Sequence, residues 1–336
     1  VVPAAQSREL RAFAKCRNER LRLPAFLRHY RLLGVRRFFI VDNDSTDGSA
    51  EYLRDQSDVH VFRTGQAFRD ADGGARWLNE LLSEFGIGSW CVTVDIDELL
   101  VYPGSEQAPL PVLTRYLDDA GVEAMWCLLL DLYPAGVLSD CRYAAGDDPI
   151  AAAPYFDRGP YRTRTFRECP GVLIRGGMRE RVFFPAFRGV RAPLAWLFGR
   201  ARPPCLTKIP LVRWDQDSRY LYANHWVTMK RVAIETGALL HMKFLQDFHE
   251  RALREAARRQ YFKDAVEYRR YAARLERDER LTLMSEHSTR YDGTRQLAAL
   301  GLIRDSERWA AARASAEAQA REVPPVDPIV GNEGRR

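Results

Sequence analysis

Residues 37–49 read R-F-F-I-V-D-N-D-S-T-D-G-S, an apolar run that passes without a spacer into a polar turn. Consecutive large apolar residues with no polar alternation suit a strand covered on both faces, the situation of a parallel sheet between helices. The turn from Asp42 to Ser49 ends that strand, and its Asp, Asn and Ser side chains are the kind that cap a following helix. Upstream, residues 24–33 place Phe26, Leu27, Tyr30, Leu32 and Leu33 at near-helical spacing, with Pro24 in the first turn and Gly34 as the stop. Before them E-L-R-A-F-A-K-C, residues 9–16, reads as a first strand. Downstream, a helix beginning near Ser49 carries Tyr52 and Leu53, and Val59 to Phe62 reads as the next strand. Strand, helix, strand, helix, strand predicts a parallel sheet with right-handed crossovers.

Farther along, residues 75–85 (A-R-W-L-N-E-L-L-S-E-F) predict an amphipathic helix, and W-C-V-T-V, residues 90–94, a buried strand that ends at Asp95. Ala124 to Leu132 is another strand candidate, followed by an irregular stretch, rich in Gly, Pro, Arg and aromatics, to about residue 222. Residues 244–276 return to helical periodicity through Leu245, Phe248, Ala252, Ala256, Phe262, Ala265, Tyr268, Ala272 and Leu275. A weaker helix is expected over 308–321, and the Pro-, Gly- and charge-rich tail 323–336 is expected to be disordered. Ligands of open α/β sheets bind outside the carboxyl ends of the strands. Both acidic turns, after Val41 and after Val94, fall on that edge.

Of the 336 residues, 46% are hydrophobic and 29% charged, which is ordinary globular composition and excludes a collagen-like or wholly disordered chain. The length suits one large α/β domain with C-terminal additions. No apolar run reaches the roughly 20 residues of a membrane-spanning helix, and the residues through Phe13 lack a signal-peptide core. The six cysteines are scattered, with no C-x-x-C pair and no zinc spacing, and are read as reduced, mostly structural residues of a cytoplasmic protein. The formal charge of +6 conceals a basic segment: residues 158–213 hold thirteen lysines and arginines against Glu168 and Glu180. Such a field suits a phosphate-bearing partner, an anionic glycan or an anionic membrane surface, and it also describes a solvated basic face without a partner. It carries no RNP, zinc-finger or helix-turn-helix pattern, so nucleic acid is not expected.

The acidic run V-D-I-D-E, residues 94–98, ends the strand at 90–94. Two carboxylates spaced i, i+2 can turn toward one hard divalent cation, which prefers oxygen ligands. A D-x-D pair alone also describes an exposed acidic turn.

Other segments accompany it. K-C-R-N-E (15–19), the helix ending L-L-G-V, F-F-I-V-D-N-D-S-T-D-G-S (38–49) and W-C-V-T-V-D-I-D-E-L-L (90–100) together resemble the start of family 2 glycosyltransferases. The likeness is greatest to the branch that includes family-92-like enzymes; it covers roughly the first 100 residues and is thinner past residue 110. It implies a GT-A, Rossmann-like α/β fold with a mostly parallel central sheet and C-terminal helices. The implied divisions are a glycosyltransferase domain at 1–243 (nucleotide part about 9–105, acceptor part about 106–243), a helical extension at 244–322 and the tail. The activity implied is metal-dependent, inverting transfer of a sugar from a nucleotide-sugar, with UDP favoured as carrier, to a glycan or lipid-linked acceptor. By the same resemblance Arg17, Glu19, Asp42 and Asn43 hold base and ribose, with Asn43 where many members have Asp. Asp95 and Asp97 hold Mn2+ or Mg2+.

The resemblance also implies a further metal or diphosphate ligand from a downstream histidine: in A-L-L-H-M-K-F-L the H-M-K triplet resembles the late H-Y-R-like element of the family-92 branch, so His241 is ranked above His225, and either could be a satisfied core histidine. Lys243 is a diphosphate contact or an ordinary surface lysine. For the general base, Glu180 in G-G-M-R-E-R leads by the same resemblance, lying about where family 2 members place such a carboxylate, and Asp131 at the end of the later strand follows, although an acid among arginines is commonly a salt-bridge partner. Gly176 and Gly177 suit a loop that a sugar approaches closely. Residues 193–204 (P-L-A-W-L-F-G-R-A-R-P-P) suit peripheral contact with a bilayer, a buried loop or a dimer contact. The rival classes are a non-catalytic nucleotide- or carbohydrate-binding protein on the same scaffold and a metal-dependent nucleotidyl- or phosphotransferase. No G-x-x-x-x-G-K-[ST] loop is present.

Overall fold

A computed structural model describes residues 9–165, 172–185, 202–221, 224–228 and 230–322. Eight strands form one mixed sheet in the order β3-β2-β1-β4-β10-β6-β11-β5. These strands are β1 (Arg11–Cys16), β2 (Arg37–Asp42), β3 (Val59–Arg63), β4 (Trp90–Thr93), β5 (Glu98–Val101), β6 (Ala124–Asp131), β10 (Thr207–Arg213) and β11 (Gly237–His241). The neighbours β3, β2, β1 and β4 are parallel, as are β6 and β11, while β10 and β5 run against them. The fold is Rossmann-like α/β with a mostly parallel central sheet, as the sequence predicts.

The alternation along β2 explains the sheet's two covers. Phe38 and Ile40 join the cluster formed with Phe26, Leu27 and Tyr30 of α1 (Leu23–Leu32) and Leu113 and Leu117 of α4 (Leu110–Asp119). Phe39 and Val41 point the other way, onto Trp77, Leu78, Leu81 and Leu82 of α3 (Ala75–Phe85). Phe39 stacks between Phe13 and Phe85 at 5.0 and 4.8 Å. Full burial of one such side chain is worth about 1.5–3 kcal/mol, so continuous apolar strands are what this double cover needs. Between β2 and β3 lies the short helix α2 (Ser49–Arg54), where Asp47 Oδ1 accepts from the Ser49 amide at 3.0 Å; Asp47 is a turn and capping residue.

The described residues of the stretch read as irregular carry more regular structure than their composition suggests. They contain α5 (Pro149–Ala152), β7 (Tyr155–Asp157), the β8–β9 hairpin (Tyr161–Thr165, Val172–Gly176), α6 (Gly177–Phe183) and β10. β10 inserts antiparallel between β4 and β6, and its register on β6 shifts between Lys208 and Leu211. Pro210 sits in that interval and has no N–H to give a ladder, so the bulge is where a proline is tolerated inside a sheet.

The single periodic stretch read at 244–276 is two helices, α7 (Phe248–Arg258) and α8 (Phe262–Arg277), broken at Arg259 with φ 51°. They pack through Phe248, Ala252, Tyr268 and Tyr271 on Phe183 of α6 and on Phe244. The short strand β12 (Ser288–Arg290) pairs with β7, and α9 (Thr294–Ala299) follows. In α10 (Glu307–Glu322), Trp309 anchors the helix by packing on Tyr116 at 5.1 Å and donating to the Pro103 carbonyl at 2.8 Å.

Among the described residues no helix is long and apolar enough to cross a membrane. Cys16, Cys91, Cys127 and Cys141 are buried and free, and Cys205 is free and half-buried. Of the segment read as a membrane, loop or dimer contact only residues 202–204 are described, and the tail 323–336 lies outside the described residues, as does Cys169.

Candidate functional site

The carboxyl ends of the parallel strands carry the charged residues. Parallel register sets Cys16 beside Asp42 and His241 beside Asp131, and the antiparallel β5 sets Glu98 beside His241. The loop after β1 brings Arg17 and Glu19 to the same edge, and the turn after β4 brings Asp95 and Asp97.

At the centre is His241, buried between two carboxylates. Its Nδ1 lies 2.7 Å from Asp131 Oδ1, and its Nε2 lies 3.4 Å from Asp97 Oδ2. Arg179 of α6 donates from Nε to Asp131 Oδ2 at 2.6 Å, and Arg251 of α7 reaches Asp97 Oδ2 at 3.4 Å. Burial alone would favour neutral Asp97, but His241 and Arg251 outweigh it and hold its pKa well below the usual carboxylate range. Burial opposes a charged His241 as well, yet Asp97 and Asp131 raise its pKa. Asp131 is lowered: burial is overcome by Arg179 and His241.

Asp95 points to a different set of partners. Its Oδ1 accepts from Lys15 of β1, and its Oδ2 from Lys208 of β10 at 3.0 Å. Lys208 is buried and also meets Glu98 Oε1 at 2.9 Å and Asn224 Oδ1 at 2.6 Å. Burial works against both charges, but the pairing lowers the Asp95 pKa and raises that of Lys208.

Of the expected nucleotide-binding residues, Arg17 donates to the Asn43 carbonyl. Asn43 itself is committed: Nδ2 donates to the Thr64 and Gln66 carbonyls at 3.0 and 2.9 Å, and Oδ1 accepts from Arg258 at 3.3 Å. Asp42 is fully buried, and its Oδ1 has no hydrogen-bond partner among the described residues. Glu19 pairs with Arg251 at 2.6 Å and Arg22 at 3.4 Å, and burial, opposed by these two, pushes its pKa up to about 7. Lys243 is not a surface lysine: it is buried, 3.4 Å from Glu267, with its ammonium 4.7 Å from the Tyr268 ring centre.

His225 stands apart from His241. Its Nδ1 meets the Thr207 carbonyl at 2.7 Å, and burial followed by the Lys208 charge lowers its pKa to about 3. Glu180 is buried in α6 and takes a two-pronged contact from Arg162 at 2.7 and 2.6 Å. It borders a cavity of about 200 Å3 that Gly176, Gly177, Asp157 and Arg181 also line. A Cβ on Gly176 would fall 2.2 Å from the Pro160 carbonyl, so this wall requires glycine.

The sequence reading missed the counter-charges Lys15, Lys208, Arg179, Arg251 and Glu267. Lys208 left one trace, a lone charge in T-K-I-P-L-V, where a covered strand should be apolar. Glu267 ties α8 to the cluster through Arg179 at 3.3 Å and Lys243. Burial would raise its pKa, but Lys243 and Arg179 outweigh burial and bring it down to about 2 from the ordinary 4.5. A depressed carboxylate stabilises the fold fully above its unfolded pKa and loses that contribution as pH falls from 4.5 toward 2. Urea unfolding across that window is expected to show a smaller acid loss for Glu267→Gln than for the parent.

Among the described residues no three His, Cys, Asp or Glu side chains converge as a ready metal cage. What the cluster offers is Asp97 Oδ2 and His241 Nε2 facing each other, with the second ring nitrogen of His241 held by Asp131, the outer-shell arrangement typical of metal-bound histidine. Mg2+ and similar ions bind through one or two protein groups when substrate phosphates complete the shell. The donor set fits an ion that arrives with a phosphate ligand.

No family model matches the chain, and no curated protein matches it. Among solved structures, a crystal structure of 4-diphosphocytidyl-2C-methyl-D-erythritol synthase aligns over 59% of this chain and 88% of its own, at 15% identity and a TM-score of 0.27. A likeness at that level carries no argument about activity.

Proposed function

We propose that the chain is a glycosyltransferase that moves a sugar from a nucleoside-diphosphate donor to a hydroxyl acceptor with the help of a divalent ion. The observation that carries this reading is the Asp97–His241 pair backed by Asp131 at the carboxyl ends of the strands. Asp97 and His241 would hold Mn2+ or Mg2+, which when bound supplies Lewis-acid stabilisation of the departing diphosphate.

The protein's own groups do the remaining work. Asp42 Oδ1, buried and without a partner, is an acceptor matched to an N–H of the base, such as the imide of uracil. Glu19, held by Arg251 and Arg22 at the same edge, would accept from the ribose hydroxyls. Arg17 and Lys243 add positive charge on the phosphate side. Glu180 carries a carboxylate to the cavity bordered by Gly176 and Gly177, where it accepts the proton of an acceptor hydroxyl. The new bond joins that oxygen to the anomeric carbon as the carbon–phosphate-oxygen bond breaks, the electron pair leaves with the diphosphate, and the carbon inverts. Asp131 is the poorer base, because the buried His241 and Arg179 each hold one of its oxygens, whereas both oxygens of Glu180 meet a single nitrogen of the exposed Arg162, so that one side chain's swing frees them. It is a positioning residue for His241.

The deciding test is thermal unfolding with UDP or GDP, with and without Mn2+, followed by product analysis with the matching sugar conjugates. A ligand at a hundredfold excess over its Kd adds about 2.7 kcal/mol of stability. A shift with one nucleotide that needs Mn2+ is the expected result. Absence of any shift overturns the reading, binding without transfer favours the non-catalytic scaffold, and a nucleotidyl product favours the nucleotidyltransferase.

A further inference from the structure

We propose that Asp95 is the holder of a phosphate-binding lysine: Lys208 fixes Asp95, Asp95 fixes Lys15, and the Lys15 ammonium receives the diphosphate. The inference rests on the sugar-transfer reading for the donor's identity, but not for the existence of the phosphate site.

The hydrogen-bond inventory leads to it. An ammonium has three donors, and those of Lys208 meet three acceptors, Asp95 Oδ2, Glu98 Oε1 and Asn224 Oδ1, at 3.0, 2.9 and 2.6 Å. Asn224 is itself set by donating to the Thr93 carbonyl at 2.9 Å. Lys208 is therefore a saturated brace with nothing left for a ligand. Both oxygens of Asp95 face ammonium groups, so a divalent ion approaching Asp95 meets two positive charges. Lys15 differs. Asp95 is its hydrogen-bond partner among the described residues, which leaves two N–H groups at the strand end where the nucleotide would lie.

A second observation fixes the lysine's path. Gly74, at φ +82°, gives way to the Lys15 stem: a Cβ there would stand 2.6 Å from Lys15 Cδ and 3.2 Å from the Phe68 ring. The stem passes over a glycine whose lack of a Cβ leaves its path open, and its head is aimed by one carboxylate. A phosphate that binds in place takes the two unused N–H groups, the charge-assisted geometry in which lysine holds phosphate.

The test is calorimetric titration with inorganic pyrophosphate in the absence of metal, alongside Mn2+ binding measured by electron paramagnetic resonance in the presence of UDP. Wild type should bind pyrophosphate, and Lys15→Met should bind it roughly 10- to 100-fold more weakly, the usual scale for a hydrogen bond to a charged group. Lys15→Arg, which keeps the charge, should retain most of the affinity and controls for folding. Asp95→Asn should weaken pyrophosphate binding as well, the double variant should be no worse than Lys15→Met, and Asp95→Asn should keep its Mn2+ signal once UDP is raised to saturate the variant. Loss of that signal in Asp95→Asn overturns the proposal, as does a Lys15→Met affinity equal to wild type or a wild type that ignores pyrophosphate. Pyrophosphate carries neither base nor sugar, so failure of UDP and GDP alone removes the sugar-transfer reading and leaves the lysine site standing.

Discussion

Replacing Asp97 by Asn is expected to lower sugar transfer by about 10²–10³-fold in kcat, the scale on which a preorganised electrostatic group acts in a transition state. The same change should erase the Mn2+-dependent part of the thermal shift with nucleotide. The carboxylate sits 3.4 Å from His241 Nε2 and is nearly enclosed, so an amide of equal shape keeps the packing while removing the anionic donor. His241→Ala should give the same phenotype. Asp131→Asn should cost less, about 10- to 100-fold in metal affinity, because Asp131 acts by orienting the imidazole. His225→Ala should leave metal dependence intact, since its Nδ1 is spent on the Thr207 carbonyl. Steady-state rates and Mn2+ titrations of these variants decide the point. An Asp97→Asn enzyme with unchanged metal dependence removes Asp97 and His241 from the mechanism.

The largest stability effect is expected at Arg179. Its guanidinium is buried, bonded to Asp131 at 2.6 Å and close to Glu267 at 3.3 Å. Substituting Met preserves much of the volume but strands Asp131 without its principal cation. Breaking one side of a buried ion pair costs about 3–5 kcal/mol. Arg179→Met is therefore expected to lose that much in urea unfolding, and Arg179→Met/Asp131→Asn should recover a part of it by discharging the stranded group. If the double variant is no more stable than the single one, the loss comes from packing and not from the stranded charge of Asp131. Exposed pairs such as Arg54–Glu51 should contribute under about 1 kcal/mol when cut.

Much of the scaffold was legible because its signals are local. Phe38 to Val41 and Trp90 to Val94 are apolar without interruption and abut acidic turns, and both strands lie where that pattern puts them. β10 escaped notice because Pro210 and Lys208 both argue against a central strand; the bulge excuses the first and three oxygen partners excuse the second. The break at Arg259 falls in the six-residue gap of the apolar series between Ala256 and Phe262, which a single-helix reading passes over because arginine has no turn propensity to mark it. At the site, Asp97 and His241 were named from resemblance, and the structure brings them together with Asp131. Their counter-charges were not readable, because Arg179 and Arg251 reach the cluster from helices far along the chain, and nothing in a linear sequence pairs one arginine of many with one carboxylate.

The position of β10 also governs when the sheet can close. Val92 of β4 waits for Leu211, and β6 waits for the same strand on its other side. During synthesis the first four strands can assemble as a local, right-handed unit while the inner edge of β4 has no neighbour. Such an open edge is a template for unwanted pairing, and contacts of long sequence separation form slowly. The second half of the sheet thus acts as a late clasp. Translation pauses or chaperone occupancy between residues 93 and 207 would bear on yield far more than on the thermodynamics of the finished molecule.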